Sequence, residues 1–188
     1  MVKPCKNYHL LLDGSFLIVT GFFLIARLDH HALWDDEALT ALASRGILES
    51  GDTKAINGHN IVAYRSGLLL INLRDRSTPP LTSYLVAPSI WLFGDTAFAA
   101  RFPCAVLGMT IMVLAVLVLG KLKVTNIQRL TWYIAISGNV SLFLFLRQSR
   151  YYAPSTLLVV LILLFYFFWN RKENKHLIWT IILFGALS

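Results

Sequence analysis

Residues 33–43 read Leu-Trp-Asp-Asp-Glu-Ala-Leu-Thr-Ala-Leu-Ala, and the three consecutive carboxylates separate two long apolar runs of the chain. Asp35 or Asp36 is placed to cap a helix, because a short side-chain oxygen accepts hydrogen bonds from the free amides of the first turn. Carboxylates at a helix start also gain from the positive end of the helix dipole. The chain has only ten acidic residues, and capping needs one. We therefore predict a functional site at this helix start.

The residues after the acids predict where the helix runs and ends. Leu39, Leu42, Ala43 and Ile47 fall on one helical face, which we expect to be the buried face. Gly51 follows as a helix stop.

Composition places the chain among membrane proteins. It is 56% hydrophobic with a mean hydropathy of +0.62, and its apolar residues form long blocks. The net charge of +7 does not indicate nucleic-acid binding, because the basic residues lie in short segments between apolar runs. Cys5 and Cys104 have neither metal-ligand spacing nor a favourable position for a disulfide.

Apolar runs predict four full membrane spans, at about residues 10–28, 99–119, 130–146 and 154–169, and an incomplete fifth at 177–188. We expect the first to be an uncleaved signal-anchor and the chain to be the N-terminal piece of a longer protein. Asp13 lies near the amino end of the first span, where we expect it to reach the interface. Leu81–Phe93 is too short to cross comfortably, which favours an interfacial or re-entrant helix.

Charge then predicts the orientation. If residues 81–93 do not cross, segments 1–9, 120–129 and 170–176 share one side and carry eight basic residues against one acid. The positive-inside rule makes this side cytoplasmic. Residues 29–98 then form a large external loop with eight of the ten acids, in which residues 64–73 are a candidate short helix. The predicted fold is an all-α integral membrane bundle whose first external loop carries juxtamembrane helices.

Three segments just outside the span ends share the external side, and they hold the candidate site. They are the acids at 35–37, the stretch 74–80 and the stretch 147–152. A carboxylate near an apolar boundary can act as a general base, and a second can hold a divalent cation. Arginines beside them can bind phosphate with forked donors. This combination indicates a lipid-phosphate substrate with its head group at the interface.

Four motifs occur in the order found in one family of membrane enzymes. They are Trp34-x-Asp36-Glu37, Pro79-Pro80-Leu81, the segment Phe93-Gly94-Asp95 to Arg101-Phe102-Pro103, and Ser149-Arg150-Tyr151-Tyr152-Ala153. Together they resemble the membrane glycosyltransferases of the GT-C superfamily. The bacterial RgtA/B/C/D-like group, the lipid A aminoarabinose transferases and the protein O-mannosyltransferases are the most similar branches.

The resemblance implies sugar transfer from a polyprenyl-phosphate donor to a lipid, glycan or protein acceptor, on the outer face of the bacterial inner membrane. It implies that Asp36 deprotonates the acceptor hydroxyl. Glu37 would be its neighbour in the site and would bind the divalent metal cation if the enzyme uses one. Arg150, with Tyr151 or Tyr152, would lie by the donor phosphate.

Two departures from the family pattern stand out. Ser77-Thr78 replace a Glu-Lys pair before the prolines, so Arg74 or Arg76 would have to supply that positive charge. Residues 147–150 contain no acid, which argues against a metal. Arg101 is either a site residue or a structural arginine that snorkels from a span end. The rival reading is a non-catalytic membrane protein, either a transporter-like or scaffold subunit or a degenerate transferase.

Overall fold

The computed structural model of the chain describes residues 7–61, 67–68, 70–75, 79–122 and 124–168. This part is mostly helical, as predicted. Arg76 and the predicted incomplete span at 177–188 lie outside the described residues. The described helices are α1 (Asn7–Ile25), α2 (Asp35–Ser50), α3 (Leu81–Phe93), α4 (Ala97–Lys121), α5 (Asn126–Ser137), α6 (Val140–Arg147) and α7 (Tyr152–Phe168).

Helix α4 is the centre of the packing and contacts α1, α3, α6 and α7. Its buried face carries small residues at a four-residue spacing, Ala100, Cys104 and Gly108. At Gly108 an added Cβ would lie 3.1 Å from Leu24 of α1 and 3.2 Å from Leu146 of α6. Small residues at this spacing let helix backbones approach closely. The stripe therefore lets two helices cross α4 at one level.

Two described helices, α1 and α4, are long and apolar enough to cross a membrane. A third candidate is the pair α5 and α6, which is bent by 61°. The predicted span at 130–146 is therefore interrupted, because Gly138 ends α5 and the Asn139 side chain caps α6 by accepting from the Leu142 amide. The predicted span at 154–169 corresponds to α7, which is apolar but shorter than the two candidate spans α1 and α4.

Helices α2 and α3 lie in the predicted external loop. The predicted bounds of α3 and the stop at Gly51 are confirmed; Gly51 has φ 75° and donates its amide to the Ile47 carbonyl. The N-cap residue is Trp34, one position before the predicted capping acids.

The buried face of α2 also differs from the prediction, because it consists mainly of small or polar residues. The Ser44 hydroxyl donates to the Ser83 carbonyl of α3 at 3.0 Å, so the two helices meet at close range. The larger apolar residues Leu39, Leu42 and Ile47 are only half-buried. The buried residues of α2 are Glu37, Thr40, Ala41, Ser44 and Gly46.

Two short antiparallel hairpins follow α2, β1 (Ile56–Asn57) with β2 (Asn60–Ile61), and β3 (Leu70–Ile71) with β4 (Arg74–Asp75). The predicted helix at 64–73 was therefore wrong over its described end. Asn72 and Leu73 both have positive φ, as a tight two-residue hairpin turn requires.

The hairpin region packs against α2 through a glycine. A Cβ on Gly46 would clash with the Lys54 carbonyl oxygen, so this contact needs glycine.

Near the N-terminus of α1, Asp13 is held by two residues of α5, and we call these three residues the basal cluster. Arg129 Nη1 lies 2.6 Å from both Asp13 carboxylate oxygens, and the Tyr133 hydroxyl donates at 2.5 Å. The Tyr133 ring stacks on Phe16 at 4.1 Å. Asp13, expected to reach the interface, thus pairs with residues of another helix. Arg129, expected in a loop, is buried.

Candidate functional site

Glu37 is almost completely buried at the start of α2, with 2% of its side chain exposed. Its Oε1 accepts from Arg101 Nε and from the Ser149 amide, both at 3.0 Å. Its Oε2 accepts from Arg101 Nη2 at 2.6 Å and from the Trp34 amide at 3.1 Å. We call these four residues the framework cluster. It joins α2, α4 and the segment between α6 and α7.

Arg101 extends the framework cluster to the end of α1. Its Nη1 donates to the carbonyls of Leu28 and His31, each at 2.8 Å, and its Nη2 donates to that of Ala32 at 3.0 Å. With the two bonds to Glu37, all five N–H donors of the guanidinium are used. Arg101 is thus a structural arginine, but one directed inward rather than snorkelling to the membrane surface.

Two opposing effects set the pKa of Glu37. Burial raises the pKa, while the hydrogen bonds from Arg101, Trp34 and Ser149 and the positive charge of Arg101 lower it. The balance leaves the pKa of Glu37 below its ordinary value. Glu37 is therefore an ionised partner of Arg101 at neutral pH.

This geometry does not support the predicted roles of Glu37 in catalysis or metal binding. A carboxylate has about four acceptor positions, and four donors already fill those of Glu37. A cation would have to displace bonds that join three parts of the fold. The described residues also contain no group of three or more His, Cys, Asp or Glu side chains suited to a metal. We assign Glu37 a positioning role.

Asp36, the next residue, points to the surface and forms a second acid–arginine pair. Its Oδ2 lies 3.0 Å from Arg150 Nη2, and the two side chains are 43% and 25% exposed. The Arg150 guanidinium lies 4.9 Å from the ring centre of Tyr152 and 5.5 Å from that of Tyr151, within the range of cation–π attraction. The structure thus brings together three predicted site residues, Asp36, Arg150 and Tyr152. We call them the surface triad.

A shallow crevice beside the surface triad connects it to the proline motif. Thr40, Pro79, Thr82, Arg150 and Tyr151 line it. The Thr82 Oγ1 is buried and has no hydrogen-bond partner among the described residues. A buried hydroxyl without a partner costs free energy, and the crevice is too narrow to admit a water molecule.

Two other predicted residues are not joined to this site. Arg74 pairs with Asp52 in the hairpin region, and no contact between described residues links it to the surface triad. Arg76 lies outside the described residues. Asp35, at the free position of the Trp34-x-Asp36-Glu37 pattern, is exposed.

Sequence reasoning missed the two distant partners of Glu37, Arg101 and Ser149, which are 64 and 112 residues away in the chain. The sequence signal for Arg101 was its position, since it is an arginine at the start of an apolar run in a chain with a three-acid cluster at the start of another helix. Ser149 acts through its backbone amide, for which the sequence holds no signal. In comparisons with known proteins, the chain matches no protein-family model, no curated protein and no solved structure.

Proposed function

We propose that this chain is part of a membrane glycosyltransferase of the GT-C type, a multi-span bundle that moves a sugar from a polyprenyl-phosphate donor to an acceptor hydroxyl on the extracytoplasmic face. The observation that carries the proposal is the surface triad. It joins residues of two of the four motifs, Asp36 of the first and Arg150 and Tyr152 of the last. The resemblance assigns base and phosphate-binding roles to these same residues.

In the proposed reaction the acceptor oxygen attacks the anomeric carbon of the donor sugar. The bond from that carbon to the phosphate oxygen breaks, and the lipid phosphate leaves with the electron pair. Asp36 takes the proton of the acceptor hydroxyl. A single displacement of this kind inverts the configuration of the anomeric carbon.

Arg150 has two uses in this scheme. In the described state it pairs with Asp36, so the carboxylate that the scheme uses as the base is occupied. A donor phosphate offers the guanidinium a competing anion with forked geometry. On donor binding, Arg150 would exchange Asp36 for the phosphate and leave the carboxylate free to accept a proton.

The framework cluster would hold this site in position. Glu37 accepts from the amide of Ser149, the residue before Arg150, and follows Asp36 directly in α2. It therefore fixes both partners of the Asp36–Arg150 pair from the buried side. Positioning of this kind matters because small displacements of a base reduce rates strongly.

The test is Asp36→Asn, with Asp35→Asn as the matched control on the neighbouring exposed acid. Transfer of labelled sugar from a polyprenyl-phosphate donor would be measured with the native protein in proteoliposomes. We expect Asp36→Asn to reduce transfer by about 10²–10⁴-fold, the usual loss for a general base, and Asp35→Asn to have little effect. Near wild-type transfer by Asp36→Asn would exclude Asp36 as the base.

The second candidate is a scaffold subunit without catalysis. It is favoured by the pairing of both Asp36 and Glu37 with arginines, which a purely structural role would equally need. Donor binding separates the two candidates. An enzyme should bind the polyprenyl-phosphate sugar and lose affinity with Arg150→Gln, whereas a scaffold should bind none specifically.

A further inference from the structure

A separate cleft of about 910 Å³ lies between the end of α1 and α6. One wall, which we call the lower wall, is apolar and is formed by Phe22, Phe23, Ala26 and Leu144. Phe22 and Phe23 are exposed and belong to a candidate membrane span. No residue of the surface triad is among the described residues that line the cleft.

The upper wall of the cleft is positively charged. Three guanidinium groups, of Arg27, Arg101 and Arg147, face a single carboxylate, that of Glu37. Glu37 balances Arg101, so two positive charges remain. Arg147 gives two of its five donors to the carbonyls of Phe23 and Ala26.

Arg27, His30 and His31 add further donors around the same opening. The Arg27 side chain is exposed and makes no hydrogen bond or ion pair with any other described residue. It also has a φ of 54°, an uncommon backbone conformation for a residue other than glycine.

The position of the cleft selects the class of ligand. The candidate span in α1 ends at Ile25, so the charged wall starts where the apolar segment stops. Exposed Trp34 lines the same opening, and tryptophan favours the membrane–water interface. Apolar walls below and unbalanced guanidinium groups above complement an amphiphile with an anionic head group.

We propose that this cleft binds the phosphate head group of a membrane lipid, with Arg27 and Arg147 as donors to the phosphate and Phe22, Phe23 and Leu144 against the chains. This site is distinct from the surface triad and does not depend on the transfer reaction. A lipid held there would bridge α1 and α6.

The probe is dioctanoyl phosphatidic acid, added to the purified protein in neutral detergent micelles, with bound lipid counted by native mass spectrometry. We expect saturable binding of one phosphatidic acid per chain. Dioctanoyl phosphatidylcholine has the same chains and no net charge, so it should bind far more weakly. Equal binding of the two lipids would overturn the proposal. So would competition by inorganic phosphate at the same concentration as the lipid, because the site would then be one for free anions.

The diagnostic variant is Arg27→Gln, which removes a guanidinium that makes no bond within the described fold. We expect about tenfold weaker phosphatidic acid binding, the size of effect of one charge-assisted hydrogen bond, and recovery with Arg27→Lys. Arg45→Gln is the matched control, since Arg45 pairs with Asp95 outside the cleft. Unchanged binding by Arg27→Gln would refute the assignment.

One further variant keeps the two proposals apart. Asp36→Asn should reduce transfer by about 10²–10⁴-fold and leave phosphatidic acid binding unchanged. A wild-type chain that binds phosphatidic acid but transfers no sugar would refute the proposed function alone. A wild-type chain that transfers sugar but does not bind phosphatidic acid would refute the cleft assignment alone.

Discussion

Both ends of α1 are tied to later helices by a carboxylate and an arginine, but the two connections differ in completeness. In the framework cluster, four donors surround Glu37 and all five donors of Arg101 are used. In the basal cluster, Arg129 Nε is buried and has no partner among the described residues. The same is true of the nearby Asn126 Oδ1 and His9 Nδ1.

The difference shows which polar contacts the fold depends on. A buried network contributes most when every member is satisfied, because each unmet donor or acceptor retains part of its desolvation cost. In the framework cluster the Glu37 carboxylate and the Arg101 guanidinium meet that condition, and only the Ser149 hydroxyl beside them is buried without a partner among the described residues. The cluster joins four parts of the chain. The basal cluster joins only α1 and α5. We therefore expect the two ends of α1 to respond very differently to the loss of one charge.

The largest effect is expected for Glu37→Gln. It leaves the Arg101 guanidinium buried without its counter-charge, and breaking a buried pair in this way costs about 3–5 kcal/mol. The free energy of unfolding in detergent micelles would be compared with that of Glu49→Gln, an exposed acid in the last turn of the same helix. If both variants lost the same stability, the framework role of Glu37 would be wrong.

A smaller loss is expected for Asp13→Asn in the basal cluster. Asp13 is 19% exposed against 2% for Glu37, so water can reach the site and offset part of the lost charge. Asparagine can still accept from the Tyr133 hydroxyl, and we expect a loss of about 1.5–3 kcal/mol. Asp29→Asn, in the exposed turn after α1, is the control for the same measurement. A loss greater than that of Glu37→Gln would reverse the ranking of the two clusters.

The smallest effect is expected from acid titration. The pKa of Glu37 is lowered in the fold, so its ionisation adds stability that is fully present above the unfolded value of 4.5. That contribution is lost as the pH falls through the lower, folded-state pKa. The difference in Tm between wild type and Glu37→Gln should therefore shrink below pH 4.5. A difference that stayed constant to strong acid would show that charge is not what Glu37 contributes.

Local patterns in the sequence predicted those features that depend on nearby residues. The stop at Gly51 and the bounds of α3 follow from a glycine and from prolines, which act on their own backbone. The break between α5 and α6 was missed although Gly138 and Asn139 signal it, because hydropathy alone continues through them. The sequence also suggested that Asp36 and Arg150 share a site.

The rest depends on contacts between distant parts of the chain. Whether Asp36 or Glu37 points inward is decided by Arg101 and by the Ser149 amide, neither of which lies in the same segment. The buried face of α2 consists of small residues because α3 approaches closely, and a pattern of large apolar residues does not reveal this.

The bond between Arg101 and the Leu28 carbonyl, which spans 73 residues, also has a consequence for biosynthesis. At about 5–20 residues per second, a ribosome needs roughly 4–15 s to advance that far. During this interval the carbonyls of Leu28, His31 and Ala32, just beyond the end of α1, lack their arginine. A nascent chain that stops before residue 101 never acquires that arginine, so the exposed helix end marks an unfinished product.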